Sequence, residues 1–250
     1  ALASAGANAL NMWYEADTDA KMHRTRERPI PSGRLTRHQT VVLGLWLSVV
    51  GVLLTMLLAG TAAALLCFVC VVSYVFMYTP MKTRSVLNTL LGTIPGALPP
   101  MIGAAAATPG FGYQRLFSPV GWSLAALMIV WQIPHFLAIA WLYRDDYARG
   151  GHRMLPVVDT SGRVTSAVIV TTAVLLLPAT ILPVYAGGGL LGPPTLITAG
   201  VTGIAYLVLC LRLALRRDDR TAKLVFIASI IHLPVLLMVM VADAGVRALL

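Results

Sequence analysis

Asn11, Glu15, Asp17 and Asp19 crowd four carboxamide or carboxylate groups into nine residues. Asn11, Glu15 and Asp19 stand at i, i+4 and i+8, an arc of about 80° on an α-helix at about 100° per residue. Three oxygen-bearing side chains on one helix face form an open site for a hard divalent cation. Mg²⁺ typically takes one or two carboxylates and completes its shell with waters and substrate phosphates. Arg24 and Arg28, again four apart and with Arg26 between them, supply guanidinium forks that match phosphate oxygens. The bland alternative is a solvated helix end whose acids balance Lys21, Arg24, Arg26 and Arg28. Four such groups in nine residues, beside paired arginines, favour the site.

A second cluster falls in residues 143–158, where Tyr143, Arg144, Asp145, Asp146, Tyr147, Arg149, His152 and Arg153 again mix acids, cations and aromatics. Two carboxylate clusters with cations between them suit a diphosphate bridged by Mg²⁺, because metal and arginines stabilise charge developing on a leaving group. Tyr78 and Lys82, at i and i+4, add a hydroxyl and a point charge. His135 lies about two turns inside its helix behind Pro134, and an ionisable group within a span is a functional hypothesis by default. It reads as a haem contact, a general base, or a neutral histidine bonded to a neighbouring helix. His232 has no charged company, and Cys67 and Cys70 form a C-x-x-C without further ligands, so all three read as packing. Gly92, Pro95, Gly96, Pro99, Pro100 and Gly103 predict a broken or kinked helix lining a cavity, with Asn88 at its inner end.

The elements that must position these groups follow from composition. Of 250 residues, 58% are hydrophobic and 12% charged, and the mean hydropathy is +0.79. A soluble domain carries about 25% charged residues, so the solvent for most of this chain is lipid. Apolar stretches at 41–59, 62–78, 86–107, 121–142, 164–186, 195–211 and 224–242 are each long enough to cross a hydrocarbon core of about 30 Å. Residues 1–14 look like the second half of a further span, so eight segments are visible and one helix is expected ahead of Ala1. Each span must be helical to satisfy its backbone internally. The fold class is therefore all-α, a polytopic transmembrane bundle read as a single domain over 1–250.

Lys and Arg fall on alternate connections, at 20–38, 79–85, 143–163 and 212–223, leaving only Arg115 and Arg247 elsewhere. That is a positive-inside pattern with both motif loops cytoplasmic and the C-terminus outside. The net charge of +9 is thus topological and excludes nucleic acid as a partner. Nine of the ten acids share the inner side, which the positive-inside rule does not require. The two long inner connections are four helices apart, which hints at two four-helix halves.

These residues resemble a family. Asn11 to Asp19 is similar to the first acidic motif of the UbiA-type intramembrane prenyltransferases, N-x-x-x-D-x-x-x-D, with Glu15 at the second acidic place. Met22 to Pro29 resembles the M-x-R-T-x-x-R-P of the branch whose acceptor is haem. Tyr78 to Lys82 with Asn88, Gly96 to Pro100, Pro134-His135-Phe136, and Asp146-Tyr147 followed by Met154 to Val158 resemble further signatures of that branch. One departure is Leu142, which stands where the second acidic motif usually opens with Asp, and it weakens the case for a second metal site.

The resemblance implies nine helices, an inner-membrane location and transfer of a farnesyl group from farnesyl diphosphate to a vinyl group of haem B. The products would be diphosphate and haem O, destined for terminal oxidases. It implies Mg²⁺ on Asn11, Glu15 and Asp19 with Asp146 on the opposite wall, and Asp17 and Asp145 as secondary candidates. Arg24, Arg28, Lys82, Asn88 and Arg144 would face the diphosphate, Tyr78 would donate a hydrogen bond, and His135 would serve the haem side as ligand or base. A haem-modifying or oxidase-assembly protein is the expected downstream partner. The rival readings are a UbiA-type enzyme acting on an aromatic or quinone precursor and, more remotely, a membrane transporter.

Overall fold

The structure, a computed structural model, describes residues 1–108 and 112–249; part of the expected Gly/Pro turn at 108–112 lies outside them. The described residues form helices and turns, with no strand among them. In chain order the first helices are α1 (Leu2–Tyr14), α2 (Ala16–Asp19), α3 (Arg37–Ala59), α4 (Thr61–Val72), a π-helical stretch (Ser73–Tyr78), α5 (Thr79–Arg84) and α6 (Asn88–Ala107). A 3₁₀ turn (Gly112–Phe117) follows, then α7 (Pro119–Leu142), α8 (Arg144–Arg149), α9 (Leu155–Val158), α10 (Arg163–Ala186), α11 (Pro193–Arg216) and α12 (Asp219–Ala248). Seven helical runs are long and apolar enough to cross a membrane. They coincide with the seven full spans expected, and α1 is the eighth segment.

Several helices outrun their apolar windows. The run Thr61–Arg84 continues past Tyr78, α11 reaches Arg216, and α12 begins at Asp219. Hydropathy marks the thickness of the lipid, whereas the hydrogen-bond ladder continues into the interface wherever a cap supports it. Asp218 supplies such a cap, its carboxylate accepting from the Thr221 N–H at 2.7 Å.

Two compact units emerge. The first comprises Ala1–Gly121 and Tyr143–Val158, the second Trp122–Leu142 and Asp159–Leu250. The second motif loop therefore belongs with the first unit, not with the helices that flank it in sequence. Within the first unit α1 packs on α3 through small residues. A Cβ on Gly6 would lie 2.4 Å from Ser48 Oγ, and one on Gly51 would lie 2.4 Å from the Ala3 nitrogen. Such close backbone approach is how helices associate where lipid removes the hydrophobic drive.

The helix α6 runs from Asn88 to Ala107 without a break, despite Pro95, Pro99 and Pro100. Of the expected broken or kinked helix, this removes the broken alternative. Pro99 has no N–H and so frees the carbonyl of Pro95. The Cys70 thiol donates to that oxygen at 3.3 Å. A neighbouring side chain satisfies one of the carbonyls that the prolines free, as lipid-embedded prolines require. Cys70 thus has a specific task, while Cys67 is a buried free thiol.

Candidate active site

The first unit contains the charged site. Helix α1 ends at Tyr14, Glu15 sits at the junction, and α2 carries the chain to Asp19. This keeps Asn11, Glu15 and Asp19 all buried, as their spacing on one face anticipates. Asn11 Nδ2 donates to Thr79 Oγ1 at 3.0 Å, and that hydroxyl donates to the Tyr74 carbonyl at 2.8 Å. The Glu15 carboxylate meets Lys82 Nζ at 2.8 Å from Oε1 and 3.1 Å from Oε2. Asp19 Oδ2 accepts from Arg28 Nη1 at 2.8 Å, while Asp19 Oδ1 is buried without a partner. Burial pushes the Asp19 carboxyl above its usual value, outweighing the opposing hydrogen bond and charge of Arg28.

Local backbone geometry brings Lys82 to Glu15. The π-helical stretch Ser73–Tyr78 inserts extra backbone into the span and so rotates the register of everything after it. Tyr78 packs against Gly92, where a Cβ would come within 2.8 Å of its ring, and Lys82 Nζ lies 4.8 Å from the same ring's centroid.

The second motif behaves differently. Asp146 Oδ1 accepts from the His23 N–H at 2.8 Å and from Arg149 Nη2 at 2.6 Å, and Oδ2 accepts from the Arg24 N–H at 3.2 Å. Burial works against its charge, but Arg149 and those two backbone donors prevail and hold the carboxyl below its usual range. Arg24 lies over the rings of Tyr143 and Tyr147, 4.9 and 5.2 Å from their centroids, and donates to the Tyr147 hydroxyl at 2.9 Å. The loop is fastened to α5 and α6 as well. The Arg153 N–H donates to the Lys82 carbonyl at 2.7 Å, and Asn88 Nδ2 donates to the Arg153 carbonyl at 3.0 Å.

The structure therefore links Asn11, Glu15, Asp19, Arg24, Arg28, Lys82 and Asp146 through their contacts within the first unit and gives other candidates of that unit different surroundings. Asp17 is exposed and paired with Arg37, Asp145 is exposed, and Asn88 is fully buried with its amide donating to backbone carbonyls of Ser85 and Arg153. Arg144 is half-buried at the start of α8. Among the described residues no group of three or more His, Cys, Asp or Glu could by itself enclose a metal ion. The donor set still fits Mg²⁺, which needs one or two protein carboxylates and leaves the rest of its shell to water and phosphate. The unpartnered Asp19 Oδ1 beside Glu15 meets that requirement. Asp146 already accepts from three donors and so has less coordinating capacity to offer.

Buried carboxylates paired with cations at one end of a lipid-facing helical unit match a known architecture. A family model described as the UbiA prenyltransferase family matches residues 1–230. The chain belongs to the UbiA prenyltransferase family. Curated relatives in it include protoheme IX farnesyltransferases from Solibacter usitatus (strain Ellin6076), 41% identical over 97% of this chain and 80% of the relative, and from Salinibacter ruber (strain DSM 13855 / M31), 38% identical over 97% and 83%. A solved UbiA homologue from Aeropyrum pernix K1 superposes with a TM-score of 0.71 at 20% identity, covering 98% of this chain and 85% of that one. A structure of digeranylgeranylglyceryl phosphate synthase superposes with a TM-score of 0.76 at 16% identity, covering 97% and 82%. The fold is thus shared with UbiA proteins, and the chain is a prenyltransferase.

The second unit of this UbiA protein carries neutral polar groups within its spans. Ser229 Oγ gives its proton to the Phe226 carbonyl at 2.6 Å, so at its 2.7 Å contact with His135 Nδ1 it can only accept. His135 Nδ1 is therefore the protonated nitrogen, and Nε2 keeps the lone pair. Trp131 stacks on the ring at 4.9 Å and donates from Nε1 to the Ser229 carbonyl at 3.0 Å. His232 repeats the pattern on Thr202, whose hydroxyl donates to the Thr198 carbonyl at 2.7 Å. Sequence reasoning missed Ser229 altogether and assigned no task to Thr79, although Thr79 lies within the Tyr78 to Lys82 stretch. Tyr147 and His152 stood inside the second motif and were legible as part of it, whereas Ser229 carries no local signal.

Proposed function

We propose that the chain transfers the farnesyl group of farnesyl diphosphate to a vinyl group of haem B, giving haem O and diphosphate. That its relatives are protoheme IX farnesyltransferases supports the acceptor, and the residues of the first unit support the mechanism. The observation that carries it is the pair of buried carboxylates, Glu15 and Asp19, each matched by a cation while one Asp19 oxygen stays unpartnered. Asn11, Glu15 and Asp19 would hold Mg²⁺, which when bound neutralises charge on the diphosphate as it leaves. Lys82 and Arg28 exchange part of their carboxylate pairing for diphosphate oxygens, and Arg24, steadied by Tyr143 and Tyr147, adds a third cation. Tyr78 beside Lys82 donates a hydrogen bond. The leaving diphosphate takes the electrons of the C–O bond, the allylic cation is attacked by the vinyl carbon, and water adds with loss of a proton. The apolar bundle keeps bulk water from the cation before that attack.

Asp146 acts at one remove, by tying the second motif loop to the backbone of His23 and Arg24. His135 is the haem-side group: the Ser229 contact leaves its Nε2 lone pair as the nitrogen able to meet iron or accept a proton. Both motif loops lie on the cytoplasmic side of the cell membrane, the C-terminus lies outside, and the haem product passes to a haem-modifying or oxidase-assembly protein. The test is turnover by purified protein of farnesyl diphosphate with haem, with and without Mg²⁺, read by product mass. Haem O appearing only with the metal supports the reading. Prenylation of a quinone precursor but not of haem overturns it.

A further inference from the structure

The second motif loop buries an imidazole to which the proposed chemistry assigns nothing. His152 is 3% exposed, and neither of its ring nitrogens has a hydrogen-bond partner. Its place is fixed on several sides. Its own N–H donates to the Tyr147 carbonyl at 2.9 Å, and the Tyr147 ring meets it edge-on at 5.7 Å. Gly150 leaves it room, since a Cβ there would lie 3.0 Å from His152 Cδ2 and 2.9 Å from Met22 Sδ. The next N–H, that of Arg153, is bonded to the carbonyl of Lys82. The backbone that follows the ring is thus pinned to the backbone that carries the Lys82 side chain.

The charges acting on it are those of Glu15, Lys82, Arg24 and Arg28, one negative against three positive. Burial, aided by those three cations and opposed by Glu15, holds the imidazole down to about 4, so it is neutral at physiological pH. A neutral imidazole carries one N–H donor and one lone pair in either tautomer. Leaving both unpaired in the interior is costly unless a partner arrives. A site with excess positive charge selects an anionic oxygen as that partner.

We infer that His152 is a substrate-contacting residue whose ring N–H donates a hydrogen bond to an oxygen of the diphosphate bound by Lys82 and Arg28. The inference rests on the diphosphate reading of the site given above. It explains why a loop otherwise fastened by saturated bonds keeps one polar side chain unsatisfied: the bond is reserved for a ligand. Stability is given up for binding, as functional sites commonly do.

The experiment titrates inorganic diphosphate with Mg²⁺ into the full chain in lipid nanodiscs, by calorimetry, alongside thermal unfolding without ligand. His152→Leu should weaken diphosphate binding roughly 10- to 100-fold, the value of a hydrogen bond to a charged group. Its melting temperature should stay level or rise, because an unsatisfied polar group is removed. His152→Gln, which keeps a neutral donor, should recover most of the affinity. Lys82→Met serves as the control for the site itself. If Lys82→Met loses diphosphate while His152→Leu binds it like the unaltered chain, the His152 assignment is wrong and the site reading stands. A drop in melting temperature that accompanies equal affinity losses in both His152 variants makes the residue structural and also overturns the inference. Failure of the unaltered chain to bind diphosphate removes the site reading, and this inference with it.

Discussion

The two acidic motifs look alike in sequence and are opposite in structure. In the first, Glu15 and Asp19 are buried, each is matched by one cation from outside its own helix, and an Asp19 oxygen is left over. In the second, Asp146 spends both oxygens on two backbone N–H groups and an arginine one turn away. On the proposed reading the first motif receives charge, while the second holds a loop against the segment that carries Arg24 and Arg28. An acidic cluster at a helix end therefore does not declare its role; the number of oxygens still unpaired does.

The sharpest way to break this comparison is to neutralise one carboxylate of each kind. Asp19→Asn or Glu15→Gln should cost about 10²- to 10³-fold in kcat, as removing one group that stabilises developing charge does elsewhere. Asp17→Asn should retain near-normal turnover, since Asp17 is exposed and paired with Arg37. Equal activity of all these variants in a haem O assay would erase the distinction between face and flank.

Asp146→Ala should act on structure first. It removes the charged acceptor of the His23 and Arg24 N–H groups, and hydrogen bonds to a charged group are worth about 1.5–3 kcal/mol, less where water can replace the acceptor. Proteolysis within residues 143–158 and an earlier thermal transition should report it, with activity falling as the loop loosens. A variant that stays protease-resistant yet loses all turnover would move Asp146 into the first class.

The pH dependence of stability should separate the two acids in metal-free protein. Asp146 is held below its ordinary value of 3.8, so its stabilisation is present above 3.8 and lost as pH falls through its lowered folded value. The deficit of Asp146→Asn against the unaltered chain should accordingly be full at pH 6 and close under stronger acid. Asp19 is raised, so what it contributes is present below 3.8 and lost as pH rises through its folded value. Asp19→Asn should melt later than the unaltered chain at neutral pH, with that advantage shrinking on acidification. Parallel curves for the two variants would contradict the assigned environments.

The smallest effect is expected in the second unit. Ser229→Ala removes the acceptor of His135 Nδ1, and hydrogen bonds between membrane helices are worth about 0.6–2 kcal/mol. Diphosphate binding should not change, whereas haem binding should weaken because the tautomer is no longer fixed. Loss of both affinities together would return His135 to packing.

Much of this was legible in the residues themselves. Spans follow from hydropathy because the bilayer imposes one length on every helix, and the shared face of Asn11, Glu15 and Asp19 follows from helical periodicity. Both are local properties, set by a few neighbouring residues and the solvent. Which carboxylate stays open is not local. The sequence could not reveal that Asp146 is consumed by backbone groups more than 120 residues away, that a π-helical stretch turns Lys82 toward Glu15, or that the Cys70 thiol repairs α6. Nor did it show that residues 143–158 join the first unit, a grouping their position after α7 conceals. A side chain's chemistry is written in its type, but its reactivity depends on which of its atoms the rest of the fold has already satisfied. Those partners come from other helices, and only packing chooses them.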